Sequence, residues 1–159
     1  MLFLNQRHAT PTNNLIMESS LHNPAQPNDV SKNELGNLRV LLAEDNEINQ
    51  FLINTILESW NFTVDTVENG LLALEHLSQH TYDVVLMDIQ MPEMGGYETI
   101  TRIRASDTSI SSIPIIALTA HTPGETAKCL SVGADAYLSK PFEPEDLYKL
   151  LQLHVKRTT

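Results

Sequence analysis

Between Leu38 and Val155, short apolar runs alternate with longer amphipathic stretches five times over, and this alternation restricts the fold more than any other feature of the chain. The runs RVLLA (39–43), FTVDTV (62–67), DVVLM (83–87), PIIALT (114–119) and AYLS (136–139) predict strands. Between them lie helix-like stretches of roughly ten to fifteen residues. The first, INQFLINTILESW, places Ile48, Phe51, Leu52, Ile56 and Leu57 on one face. The second runs from Gly70 to His80 with Leu72, Leu74 and Leu77 apolar, and the third, YETITRIRAS, carries Ile100 and Ile103. The fourth opens at Thr122-Pro123, a capping residue followed by proline at the first helical position, and ends at Gly133. The last runs from Pro144 to His154 with Leu147, Leu150, Leu151 and Val155 as its stripe.

Strands that read as continuous apolar runs are buried on both faces, so alternating β and α units imply a parallel sheet covered by helices on both sides. Five such units in the space available suit a flavodoxin-like, doubly wound α/β fold with strand order 2-1-3-4-5. Residues 1–36 differ in character: they are rich in Asn, Pro, Ser and Gln and lack sustained periodicity. They read as a flexible leader or interdomain linker, with a weak helical signal around Leu15–Leu21, and residues 37–159 as the folded domain.

Composition removes several classes of function. The formal net charge is −10 and no Lys/Arg run occurs, so the clustered basic face that nucleic acid requires is absent and no direct nucleic-acid binding is expected. No apolar run approaches the ~20 residues that span a bilayer, and the opening MLFL is too short for a signal-peptide core. With Cys129 as the single cysteine, neither an intramolecular disulfide framework nor a thiolate metal cluster can form. These features lead us to expect a cytoplasmic setting without membrane partners.

The polar residues at the strand ends carry the functional signal. In an open α/β sheet the functional crevice lies beyond the carboxyl ends of the strands, where strand order reverses. Here the first strand ends in Glu44-Asp45, the third in Asp88, the fourth in Thr119, and the fifth in Ser139-Lys140. Three converging carboxylates repel one another, and a divalent cation is the economical compensation. Oxygen donors without cysteine or a nearby histidine favour Mg²⁺ over zinc, with Mn²⁺ a conceivable substitute. Beside Mg²⁺ and Lys140 a carboxylate stays ionised, as a nucleophile must, and Thr119 and Lys140 suit the oxygens of a phosphoryl group. Taken singly each residue also has a purely structural reading: Asp45 as a helix cap, Asp88 opening the MPEMGG turn, Lys140 on the surface, Thr119 as a strand-end hydroxyl.

The blocks LRVLLAEDNEINQ, VVLMDIQMPEMGGYE, IPIIALTAH and AYLSKPF, in that order, resemble the four signature blocks of response-regulator receiver domains of two-component signalling. Their wording resembles above all the receivers attached to hybrid sensor histidine kinases, and the resemblance covers roughly residues 37–156. It implies that Asp88 is the phosphoacceptor, taking a phosphoryl group from a phosphohistidine on a histidine kinase or a histidine phosphotransfer domain. Asp45 and Asp88 would ligate Mg²⁺ with the Gln90 backbone carbonyl, and Glu44 would act close by, through water. Thr119 and Lys140 would bind the phosphoryl group, and the small Ala120 would leave room for the donor. Thr119 and Tyr137 would form the conformational switch, and Gln90 and His121 would modulate the lifetime of the acyl phosphate.

A partner helix would dock on the face around Ile48, Asn49 and Leu52, unless Ile48 and Leu52 are simply core. The fourth helix, fifth strand and fifth helix would provide a face for signalling or homodimerisation. The resemblance makes the chain a signalling phosphoacceptor rather than an enzyme. Two rivals use related chemistry or the same fold. An aspartyl-nucleophile phosphohydrolase would place a second Asp where Gln90 stands, and a flavin carrier needs a phosphate-cradling loop where AEDNEIN offers acids. A stand-alone phosphorelay shuttle and a single-domain effector remain alternatives to the receiver of a hybrid kinase.

Overall fold

A computed structural model describes residues 34–120 and 122–155. They form five strands: β1 (Arg39–Ala43), β2 (Thr63–Val67), β3 (Val84–Asp88), β4 (Ile115–Ala120) and β5 (Ala136–Lys140). Five helices alternate with them: α1 (Glu47–Ser59), α2 (Gly70–Gln79), α3 (Gly96–Arg104), α4 (Pro123–Ser131) and α5 (Pro144–His154). All strand pairings are parallel and the order is β2-β1-β3-β4-β5, the doubly wound flavodoxin-like arrangement the alternation predicts.

The apolar runs are continuous because β1, β3 and β4 form the middle of the sheet, where Val40–Ala43, Val84–Met87 and Ile115–Leu118 are fully buried. Successive side chains enter opposite layers. Val40, Leu42, Leu86, Ile116 and Leu118 pack with Leu57 of α1 and Leu147 and Leu151 of α5. Leu41, Val85, Met87, Ile115 and Ala117 pack on the other face with Ala73, Leu77, Ile100, Ile103 and Cys129 from α2, α3 and α4. Burying each large side chain contributes roughly 1.5–3 kcal/mol. The edge strand β2 reads TVDTV and is mostly half-exposed, as a strand with only one neighbour can be.

The structure corrects three details. The apolar stripe expected on α1 is rotated: only Ile53 and Leu57 are buried, whereas Ile48 and Phe51 are each 70% exposed and Leu52 is 54% exposed. The sequence of α1 is apolar around more than half its circumference, so periodicity leaves two overlapping stripes. Polar bonds at its start choose between them. Asn46 accepts hydrogen bonds from the main-chain N–H groups of Ile48 and Asn49 (both 3.0 Å), and the Gln50 amide donates to the Glu44 carbonyl at 2.6 Å. On α2 the buried residues are Ala73 and Leu77, with Leu72 and Leu74 half-buried beside them. Leu35, placed in the leader by composition, is buried in the α1/α5 core. The remainder of that segment before residue 34, including the helical signal at Leu15–Leu21, lies outside the described residues.

Three strands end one residue later than expected, so Asp88, Ala120 and Lys140 are themselves the last residues of β3, β4 and β5. The chain then turns through residues 89–95, where Glu93 takes the left-handed conformation (φ 63°), before α3 begins. At Gly96 a Cβ would collide with the main-chain carbonyl of Asp88, so only glycine lets α3 start this close to the strand end.

Candidate functional site

Glu44 and Asp45 follow directly on β1, while Asp88, Thr119 and Lys140 lie within the last residues of β3, β4 and β5. Parallel register puts all five at one edge of the sheet: Asp88 is paired with Leu118, and Thr119 and Ala120 with Ser139 and Lys140. Each of Glu44, Asp45 and Asp88 offers a carboxylate oxygen within 4.8 Å of the others; Glu44 and Asp88 are buried and Asp45 is exposed. Lys140 Nζ lies 3.0 Å from Glu44 Oε2 and 3.2 Å from Asp88 Oδ1, one ammonium between two carboxylates.

The surroundings hold these charges in specific places. Asn49 Nδ2 and the Asn46 N–H both donate to Glu44 Oε1 at 3.2 Å, and the Gln90 N–H donates to Asp88 Oδ1 at 3.4 Å. Burial and the neighbouring Glu44 charge push the Asp88 carboxyl up to about 6, against the pull of Lys140. For Lys140, burial acts downward, but its hydrogen bond to Glu44 and the charges of Asp88 and Glu44 outweigh it, and its net shift is upward. The donor set is three carboxylates with hard oxygens and no sulfur, which fits Mg²⁺. Thr119 is fully buried, and its hydroxyl oxygen has no hydrogen-bond partner among the described residues. An orphaned hydroxyl beside an acid cluster is expected where an external group completes the bonding.

The structural alternatives to the site reading fare unequally. Asp45 does not cap α1, since Asn46 does, which leaves the Asp45 carboxylate to the cluster. Lys140 is not a free surface lysine, being bonded to two buried acids. Asp88 does accept from the turn, through Gln90, while also facing Lys140. Ala120 ends β4 and is exposed, and Tyr137 on β5 is 41% exposed. The Lys140–Pro141 peptide, in the AYLSKPF block, is cis. His121 lies outside the described residues.

Of the three residues assigned to docking, Ile48 and Leu52 are exposed and so are not core. Asn49 is half-buried and its amide is engaged with Glu44, so it braces the site as well as lining the groove. That groove, of ≈ 500 Å³, runs beside Lys140 between Leu52, Ile56, Pro141 and Phe142. Sequence reasoning set Phe51 on the apolar face of α1 without assigning it to docking, although it is exposed beside Ile48 and Leu52, and it missed Glu125, whose carboxylate reaches Gln90 from α4. Nothing local marked Glu125, because the contact is made between elements 35 residues apart.

A carboxylate cluster bridged by a single lysine, at the switch point of a five-stranded doubly wound sheet, defines the class to which this domain's site belongs. Residues 40–152 match the response regulator receiver domain, and the chain belongs to that family. Among curated relatives, the hybrid signal transduction histidine kinase I of Dictyostelium discoideum is 38% identical over 134 residues, 80% of this chain but 8% of that protein. The sensor protein GacS of Pseudomonas syringae is 40% identical over 116 residues, 71% of this chain and 13% of that protein. The chain thus spans a small part of the relatives' length. Among solved structures, the receiver domain of a Pseudomonas aeruginosa sensor histidine kinase, with a magnesium ion coordinated in its active-site cleft, matches at TM-score 0.70 and 36% identity. The match covers 76% of this chain and 98% of that one. A chemotaxis response regulator of Vibrio cholerae matches at TM-score 0.69 and 31% identity, covering 75% and 99%. Among the described residues no helix is long and apolar enough to cross a membrane.

Proposed function

We propose that this receiver domain takes a phosphoryl group onto Asp88 from a phosphohistidine, and that the acyl phosphate switches its conformation and partner binding. The observation that carries this reading is the meeting of the Asp88 carboxylate, the Lys140 ammonium and the orphaned Thr119 hydroxyl at one sheet edge. In the transfer, an Asp88 carboxylate oxygen forms the new bond to phosphorus. The phosphorus–nitrogen bond breaks and its electron pair returns to the imidazole. Lys140 faces the charge that develops on the phosphoryl oxygens, and the Thr119 hydroxyl donates to one of them, both groups being already in place. Asp45 and Asp88, with the Gln90 carbonyl and Glu44 nearby, are the groups that would hold Mg²⁺. When bound, that ion supplies neutralisation of the acids and the phosphoryl oxygens.

Exposed Ile48 and Leu52, joined by Phe51, give the histidine-bearing helix an apolar surface next to the groove at Lys140. On this reading the domain is a signalling acceptor rather than a turnover catalyst, with Thr119 and Tyr137 as the switch. Curated relatives that are hybrid kinases favour a place within, or derived from, such a kinase. The test is intact mass after incubation with Mg²⁺ and acetyl phosphate. One added phosphoryl group is expected in the parent and none in Asp88→Ala, which keeps the fold. Modification of Asp88→Ala at another aspartate would overturn the assignment.

A further inference from the structure

The first turn of α4 is held in an unusual way. Thr122, its N-cap, makes no side-chain capping bond among the described residues, and Pro123 and Gly124 follow it. Glu125 stands at the third helical position, where an acid commonly reaches back to the cap. Here it reaches forward instead: Oε1 accepts a hydrogen bond from Gln90 Nε2 at 3.3 Å. Its other oxygen is buried and has no partner among the described residues. The rest of α4 is lightly anchored, with Cys129 its one buried side chain and Lys128 Nζ 4.2 Å from the centre of the Tyr97 ring. Tyr97 in turn donates to the Glu125 carbonyl at 3.4 Å.

Gln90 is therefore tied at both ends. Its main-chain N–H donates to Asp88 Oδ1 while its side chain is drawn across to α4. We propose that Glu125 is a positioning residue: it holds the Gln90 carboxamide away from Asp88 and thereby keeps the acyl phosphate open to water. This rests on the reading of Asp88 as the acceptor. In hydrolysis a water oxygen forms a bond to phosphorus, and the bond to the Asp88 oxygen breaks with its electron pair returning to the carboxylate. The water proton leaves to solvent with inorganic phosphate. A carboxamide released from Glu125 can donate to a phosphoryl oxygen and stand in the water's approach. The same bond makes α4's first turn sensitive to whatever moves Gln90.

The experiment is a double-mutant cycle on the loss of the phosphoryl group, followed by intact mass after removal of acetyl phosphate. Glu125→Ala should slow the loss about two- to tenfold, the size expected for one hydrogen bond. Glu125→Gln, which keeps an acceptor, should stay near the parent. In a Gln90→Ala background the Glu125→Ala effect should vanish. An unchanged or faster loss in Glu125→Ala, or an effect of equal size without the Gln90 side chain, would sink the idea. Hydrogen exchange of the unphosphorylated protein separates this failure from failure of the acceptor reading. Faster exchange at the first-turn amides of α4 in Glu125→Ala supports the tether even in a chain that accepts no phosphoryl group. Unchanged exchange overturns it.

Discussion

At the amino ends of the strands Arg104 donates to the carbonyls of Gly133, Ser111 and Ile113 and to the Asp135 carboxylate, at 2.7 to 2.9 Å. Nearby, Arg39 pairs with Asp65, which also accepts from the Tyr82 hydroxyl. At the carboxyl ends two buried acids share one lysine, a third acid stands beside them, and a buried hydroxyl has no partner among the described residues. One end places opposite charges together, with Arg39 Nε its one buried group lacking a partner among the described residues. The other concentrates like charges around a single lysine and leaves the Thr119 hydroxyl unpartnered. Both ends sit on the same sheet, and the proposed function accounts for the difference: the first end holds loops, and the second, on that reading, takes the ion and the phosphoryl group.

The sharpest way to break the contrast is to remove its best-bonded member. Arg104→Ala removes four hydrogen bonds, leaving Asp135 only its bond from the Ile115 N–H, and should cost about 2–4 kcal/mol in urea unfolding. Phosphorylation of the remaining folded protein should continue, since Arg104 touches nothing at the site. An equal loss of acceptor activity in folded Arg104→Ala would show that the two ends are not independent.

At the opposite end a substitution should stabilise. Asp88 is pushed up to about 6 from an ordinary 3.8. Between those values the folded chain keeps a proton that the unfolded chain has lost, so stability falls as pH rises through the window. Above it the whole cost of ionised Asp88 is present. Asp88→Asn should then raise metal-free stability by about 1–2 kcal/mol near pH 7.5, after screening, and by less near pH 5. Chemical unfolding in chelator checks this, and no gain at the higher pH would mean the acid cluster carries no strain.

The smallest effect is expected from Tyr82→Phe, about 1 kcal/mol for a single hydrogen bond. The bond from Tyr82 holds the Asp65 carboxyl below its usual range, aided by Arg39 and opposed by burial. Its contribution is present above the ordinary carboxylate value and is lost as pH falls through the depressed one. The Tyr82→Phe deficit should accordingly shrink in acid, the reverse of the trend at Asp88. A deficit that instead grew in acid would show that Asp65 is not the carboxylate this bond serves.

The sheet was legible in the sequence because central parallel strands must be apolar on both faces, and such runs as VVLM and IIAL have few other destinations. The principal acids were legible for a related reason: polar residues that end such runs all arrive at one edge. The orientation of α1 was not legible. Ile48, Phe51 and Leu52 satisfy a helical period as well as Ile53 and Leu57 do, and the choice rests on Asn46, Asn49 and Gln50 gripping the end of β1. Glu125 escaped notice because its bond to Gln90 joins α4 to a loop from elsewhere in the chain.

The Lys140–Glu44 bond joins residues 96 apart, from the last strand to the end of the first. During synthesis at roughly 5–20 residues per second, Glu44 therefore waits roughly 5–20 seconds for its lysine to be made. A nascent or truncated chain ending before β5 presents Glu44 and Asp88 without Lys140. On the proposed reading such a chain holds the acceptor carboxylate without its lysine, so the site is assembled only when β5 has joined the sheet.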